Sequence, residues 1–255
     1  MRAKLAGKNL PDIAPLLRCK GFELVNENFD LVIPHGGDGA LLGAERDYPG
    51  IPKLPLRDGR TAPLCPDHSY ESQIDDFLAG KTRKSIMPKL VGEAKENRVF
   101  ALNDIFIHNV DRVSAVRYRV WIDEVMYVAE VVGDGVGVAT VHGSTAYYRS
   151  ITHSIFRVGI GLAFSNTTEP TTHLVLPDES IIKIEITRGP AIMVADNSSE
   201  RIHLKNGDSV TIRKHSAPAE VYGLNNFMCP KCRLLRHPNH DPHLNTWINF
   251  FAEKL

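Results

Sequence analysis

From Ser85 to Val221 apolar and polar residues mostly alternate, and that pattern restricts this stretch to strands. Val116, Tyr118, Val120 and Ile122 interleave with Arg117, Arg119, Trp121 and Asp123. Ile182, Ile184 and Ile186 interleave with Lys183, Glu185 and Thr187. Asn206-Gly207 separates Ile202-His203-Leu204 from Val210-Thr211-Ile212, which predicts a hairpin. Residues 85–228 are therefore expected to form an antiparallel all-β domain.

The first third reads differently. Ile13, Leu16 and Leu17 recur at helical spacing between Pro11 and Lys20. Asp30-Leu31-Val32-Ile33-Pro34 is a short buried strand that runs into Gly36-Gly37-Asp38-Gly39, and Ala40 to Arg46 should open a helix after it. Residues 51–56 look like the next strand. Ser69 to Ala79 should be helical, with Ile74, Phe77 and Leu78 on one face. Residues 1–84 thus read as an α/β domain, ending in a charged linker, Lys81 to Lys84. A last helix over 245–255, capped by Asn245 or Thr246 and apolar through Trp247, Phe250, Phe251 and Leu255, is expected to complete it.

Thirty basic and thirty acidic side chains balance, so no general attraction to nucleic acid or anionic membrane is expected. The first eight residues have no apolar core, so no signal peptide is expected. No apolar run approaches the roughly 20 residues of a spanning helix. Four cysteines in 255 residues do not make a disulfide scaffold, which suits a reducing cytoplasm.

Three segments carry candidate chemistry. In the loop Gly36-Gly37-Asp38-Gly39 the glycines let backbone approach a phosphate, and a strand–loop–helix order is a common phosphate cradle. A carboxylate there repels phosphate, so Asp38 needs a reason. General-base work on an attacking hydroxyl is one; capping the next helix is the other. Asn103-Asp104 punctuates an apolar stretch from Val99 to Ile107 and offers an amide and an acid to a ribose diol or an adenine edge. A strand-end turn is the plainer alternative. The third segment, Gly133 to Tyr147, has Asp134 at one end and Gly143-Ser144-Thr145-Ala146-Tyr147 at the other. Its small residues and hydroxyls suit a strand facing a flat polar ligand, with Tyr147 as a stacking face. His35 and His142 are expected to be structural, hydrogen-bonded histidines.

Together, in this order, the three segments resemble the NAD kinase family, from about Asp30 to about Lys214. The resemblance implies an α/β N-terminal domain with the Gly-Gly-Asp-Gly loop, an antiparallel β C-terminal domain, and a site between them. It implies a phosphotransferase with an alcohol acceptor: phosphate passes from ATP, or polyphosphate, to the 2′-hydroxyl of the adenosine ribose of NAD, with Mg²⁺ on the triphosphate. Asp38 takes the position of the base, and Gly36, Gly37 and Gly39 are its loop neighbours. Asn103, Asp104, Asp134, Thr145, Ala146, Tyr147 and Ser150 take nucleotide-binding positions. Asp196 matches a later acidic site. A homodimer or homotetramer is implied. The chain departs from the family pattern at Ala40, where a threonine is usual, over Tyr148 to His153, and at Ser198, where a glutamine is usual. These departures keep open a different acceptor, or nucleotide binding without turnover.

Residues 229–244 form a Cys/His-rich insertion outside that pattern. Cys229-Pro230-Lys231-Cys232 has the spacing of half a zinc site, and His237 and His243 could complete it. Cys19 and Cys65 look isolated. A surface loop with two reduced thiols is the alternative; a metal here would be structural.

Overall fold

The computed structural model describes residues 1–61, 64–65, 67–111, 113–170 and 172–232. In chain order the elements are β1 (Arg2–Gly7), α1 (Leu10–Cys19), β2 (Glu23–Leu24), β3 (Leu31–His35), α2 (Asp38–Asp47), α3 (Tyr70–Leu78) and β4 (Lys84–Met87). Then come β5 (Leu90–Ala94), β6 (Asn97–Ala101), β7 (Asp104–Asn109), β8 (Val116–Ile122), β9 (Val125–Gly133) and β10 (Gly135–Ala139). A 3₁₀ turn (Gly143–Thr145) leads to α4 (Tyr147–Thr152), β11 (Ile160–Ser165), β12 (His173–Leu176), β13 (Ile182–Arg188), β14 (Ala191–Ala195), β15 (Ile202–Leu204) and β16 (Ser209–Lys214). The described chain ends through β17 (Ala219–Tyr222) and α5 (Leu224–Phe227).

Among the described residues two compact units result: 1–86 with 219–232, and Met87–Pro218. In the first, β2, β1 and β3 form a parallel sheet over a core of Ile13, Leu17, Ile33, Leu56 and Ile74. Ser69 caps α3 by accepting from the Ser72 N–H. The expected strand at 51–56 is an extended segment with isolated bridges, Val32 to Lys53 and His35 to Leu56, because Pro34 of β3 lacks the N–H that a continuous ladder would need between them. Its other side bridges Val221, so β17 belongs to the first unit rather than to the β domain expected through 228. The predicted helix over 245–255, and His237 and His243, lie outside the described residues.

The second unit is a sandwich of two six-stranded sheets, ordered β12-β11-β10-β7-β14-β15 and β6-β5-β16-β13-β8-β9. Their inner faces share one core, including Ile105, Ile107, Val136, Val138 and Leu162 from one sheet and Val120, Ile182, Ile184, Val210 and Ile212 from the other. The Asn206-Gly207 hairpin does not form. β15 pairs with β14 and β16 with β13 and β5, so this turn carries the chain from one sheet to the other. A two-residue hairpin turn of the predicted kind needs positive φ at both central residues. Only Gly207 has it, at 86°, and the Asn206 side chain accepts the Gly189 N–H instead.

Candidate active site

In the first unit β3 ends at His35 and the chain turns through Gly36 and Gly37 into α2, whose first residue is Asp38. Gly36 has φ +150°, and a β-carbon on it would lie 2.9 Å from that of Ala40. The buried His35 ring is held by the Lys8 carbonyl at 2.7 Å and the Tyr70 hydroxyl at 3.2 Å, the structural role expected of it. Asp38 is half exposed, and its Oδ1 accepts from Arg57 Nη2 at 2.8 Å. The Arg57 guanidinium is buried, lies 3.9 Å from the centroid of the Phe227 ring, and donates from Nε to the Phe227 carbonyl at 2.9 Å. A fixed cation therefore sets the direction of the Asp38 carboxylate.

In the second unit Asn103 and Asp104 do not interrupt one strand, as the apolar run suggested. They sit where the chain leaves β6 in one sheet for β7 in the other. The Asp196 carboxylate secures this crossover by accepting the N–H groups of Leu102 (2.8 Å), Asn103 (2.8 Å) and Asp104 (3.1 Å). The turn after β10 lies against it. Thr140 N donates to the Asn103 carbonyl at 2.8 Å, and a β-carbon on Gly143 would fall 2.0 Å from that same oxygen. Only glycine permits this approach. Asn103 Oδ1 is buried with no hydrogen-bond partner.

Register explains the glycines of β10. Asp104, Phe106 and His108 pair with Ala139, Gly137 and Gly135, so all six share the sheet face opposite the core. The room at Gly137 is taken by the chain itself: a β-carbon there would lie 2.3 Å from the Phe106 ring. Phe106 also meets Tyr147 edge-on, with centroids 4.7 Å apart, and Tyr147 lies 5.5 Å from His108. Tyr147 remains 40% exposed, which leaves ring surface for a ligand. The Thr145 hydroxyl is turned inward, donating to the His142 carbonyl at 3.2 Å, and the Ser150 hydroxyl points to the Ala146 carbonyl at 3.5 Å. Asp134, beyond the far end of β10, accepts from Asn166 Nδ2 at 2.7 Å. Thr140 and Gly143 thus lie against Asn103 at the start of β7, and Tyr147 rests on Phe106 and His108 farther along the same strand. Asp134 lies roughly 17 Å along the strand, level with Asn109 and five residue steps beyond the Asp104 level.

Residues 102–224 match the family model described as the ATP-NAD kinase C-terminal domain. The chain is 31% identical over 222 residues to the NAD kinase of Alcanivorax borkumensis, covering 81% of this chain and 72% of that relative. It is 30% identical over 220 residues to the NAD kinase of Acidithiobacillus ferrooxidans, covering 80% and 73%. The chain belongs to the NAD kinase family. Solved structures of the same fold include yeast NADH kinase complexed with NADH (TM-score 0.77, 17% identity, 94% of this chain and 89% of that one). Another is an NAD kinase from Archaeoglobus fulgidus in complex with ATP (TM-score 0.71, 22% identity, 89% and 96%). No helix among the described residues is long and apolar enough to cross a membrane.

One residue of this NAD kinase family member that composition and spacing did not single out is Arg57. Its signal was available: Leu56-Arg57-Asp58-Gly59 follows the extended segment beside β3, so it leaves the sheet at the same edge as the Gly36–Gly39 loop. Burial, with the neighbouring Asp196 carboxylate, pushes the Asp104 carboxyl up to about 7. Its proton is thus bound more tightly in the folded chain than in the unfolded one. The resulting stabilisation is fully present below about pH 4 and is lost as pH rises toward 7 and through it. Asp104→Asn should remove this slope. Between pH 5 and pH 8 the stability of the variant relative to the parent should rise by more than about 1 kcal/mol in denaturant titrations, since one pKa unit corresponds to about 1.4 kcal/mol. A difference that stays constant across that range would show that Asp104 titrates normally.

Proposed function

We propose that this chain transfers the γ-phosphoryl group of ATP to the 2′-hydroxyl of the adenosine ribose of NAD, giving NADP. The observation that carries the reading is the assembly at the start of β7. Asn103 presents a buried acceptor with no protein donor, Asp104 stands beside it, and Gly143, which opens the turn to Tyr147, is pressed against the Asn103 backbone. An acceptor without a partner is costly unless a ligand supplies the donor. An adenine amino group or a ribose hydroxyl would do so, and Asp104 would accept from a second hydroxyl. The exposed Tyr147 face suits a flat ring. Asp134 suits a group farther along an elongated ligand.

Asp38 is the base in this reading. It accepts the proton of the attacking hydroxyl while Arg57 fixes its orientation. Positioning and charge stabilisation provide most of the remaining rate, as in other phosphoryl transfers. Mg²⁺ arrives with ATP as part of the substrate and neutralises triphosphate charge. The homodimer or homotetramer and the cytoplasmic location are part of the same proposal.

The direct test is NADP formation from NAD, ATP and Mg²⁺ by the purified chain. Binding of NAD without NADP formation, from either ATP or polyphosphate, would overturn the catalytic reading. Asn103→Ala should raise the NAD KM by about tenfold, the equivalent of one charge-free hydrogen bond to a buried acceptor. An unchanged KM would remove Asn103 from the site.

A further inference from the structure

Cys65, His68, Cys229 and Cys232 come together although 164 residues separate His68 from Cys232. One ligand atom from each lies within 4.8 Å of the other three. Cys65 Sγ is 3.3 Å and Cys232 Sγ 3.4 Å from His68 Nδ1. A tetrahedral zinc with sulfur at about 2.3 Å and nitrogen at about 2.0 Å has S–N edges of about 3.5 Å, so these spacings are those of a metal-sized hole. The two segments have the same form, Cys65-Pro66-Asp67-His68 and Cys229-Pro230-Lys231-Cys232. Their third residues pair as well, Lys231 Nζ to Asp67 Oδ2 at 3.2 Å. The Cys65 N–H donates to Cys232 Sγ at 3.2 Å, a contact that supports a thiolate. The three thiols are buried and none is in a disulfide. Thiolates and an imidazole are the wrong donors for Mg²⁺ and the right ones for Zn²⁺.

We infer that Cys65, His68, Cys229 and Cys232 bind one structural Zn²⁺. Cys65 is therefore not isolated, and the site is complete without His237 or His243. Four protein ligands leave no open position, so the metal holds structure rather than reacting. It ties the loop that follows Arg57 to the chain that follows α5. Phe227 and Met228 immediately precede Cys229, and both contact the Arg57 guanidinium on which Asp38 rests. The knot thereby fixes the clamp on Arg57, and through it the direction of the Asp38 carboxylate. This last consequence rests on Asp38 being the base; metal binding does not, so the two readings fail separately.

The full chain, purified without chelator or metal-affinity tag, should carry about one zinc by elemental analysis. Replacement with Co²⁺ should give thiolate-to-cobalt charge transfer and the intense d–d bands of a tetrahedral site. Cys19→Ser, an exposed thiol outside the cluster, should keep the full zinc content. Cys65→Ser and Cys229→Ser should each lower zinc affinity by more than about tenfold, which competition with a chromophoric chelator reads in whatever fraction folds. Parent protein with less than about a tenth of an equivalent of zinc, no uptake on adding Zn²⁺ under reducing conditions, and no tetrahedral cobalt spectrum would overturn the inference. So would zinc that survives Cys65→Ser at unchanged affinity.

Discussion

Asp38→Asn should lower turnover by about 10²-fold or more while leaving NAD affinity within about twofold. The substitution is nearly isosteric. Asparagine can stand at the start of α2 as aspartate does, and its amide oxygen can still accept from Arg57 Nη2. Asp38 is half exposed and belongs to no apolar core, so folding should be little affected. What asparagine cannot do is take a proton. A loss confined to kcat therefore separates base chemistry from a capping role, which would appear in stability and leave kcat near normal. Steady-state kinetics with saturating ATP, paired with NAD titration of the unreacting variant, would make the distinction. Near-normal turnover would eliminate Asp38 as the base.

Much of this arrangement could be read locally, and what could not is non-local. The passage from β3 through Gly36-Gly37 into α2 needs only residues adjacent in sequence, so strand, loop and helix were foreseeable together. The alternation of Val116 to Ile122 marks a half-buried strand wherever its partners lie. Partner choice is another matter. Asn206-Gly207 carries the composition of a hairpin turn, yet the strands beside it enter different sheets, because Ile186 exchanges backbone hydrogen bonds with Gly207 and Asp208. No local pattern encodes that competition. The same holds for Cys65, whose cysteine partners in the cluster stand more than 160 residues away. In the candidate site, residue types marked out segments, but not the local partners that the side chains take. Thr145 and Ser150 turn their hydroxyls to backbone carbonyls of their own turns, and the space beside Gly137 holds the Phe106 ring. Asp196, read as a ligand-site residue, directs its carboxylate at the backbone that positions Asn103 and Asp104. Small residues and hydroxyls in a glycine-rich stretch are as useful for packing a tight turn as for meeting a ligand, and only coordinates separate the two.

Glu45→Ala should destabilise the first unit by about 3–5 kcal/mol, the cost of leaving a buried charge without its counter-ion. Lys53 has a side chain with no solvent exposure, and Glu45, on α2, is 6% exposed. Lys53 Nζ donates to the Glu45 carboxylate and also to the Tyr48 carbonyl, at 2.8 Å. The carbonyl can retain part of the ammonium's solvation but not its neutralisation. Removing the carboxylate therefore costs more than removing an exposed partner would, since exposed pairs contribute about 1 kcal/mol at most. The double change Lys53→Met with Glu45→Leu removes both charges and replaces them with apolar volume. It should recover most of the loss, because an intact buried pair and a packed apolar pair are often nearly equal in stability. The site of the change also matters. Glu45 and Asp38 are on the same helix, two turns apart, so a loose last turn of α2 need not disturb its first. Turnover per folded molecule of Glu45→Ala should accordingly stay within a few-fold of the parent, while its thermal unfolding midpoint falls by several degrees. A Glu45→Ala protein as stable as the parent would show that water reaches Lys53. One that is stable but inactive would place the Lys53–Glu45 pair in the chemistry rather than in the fold.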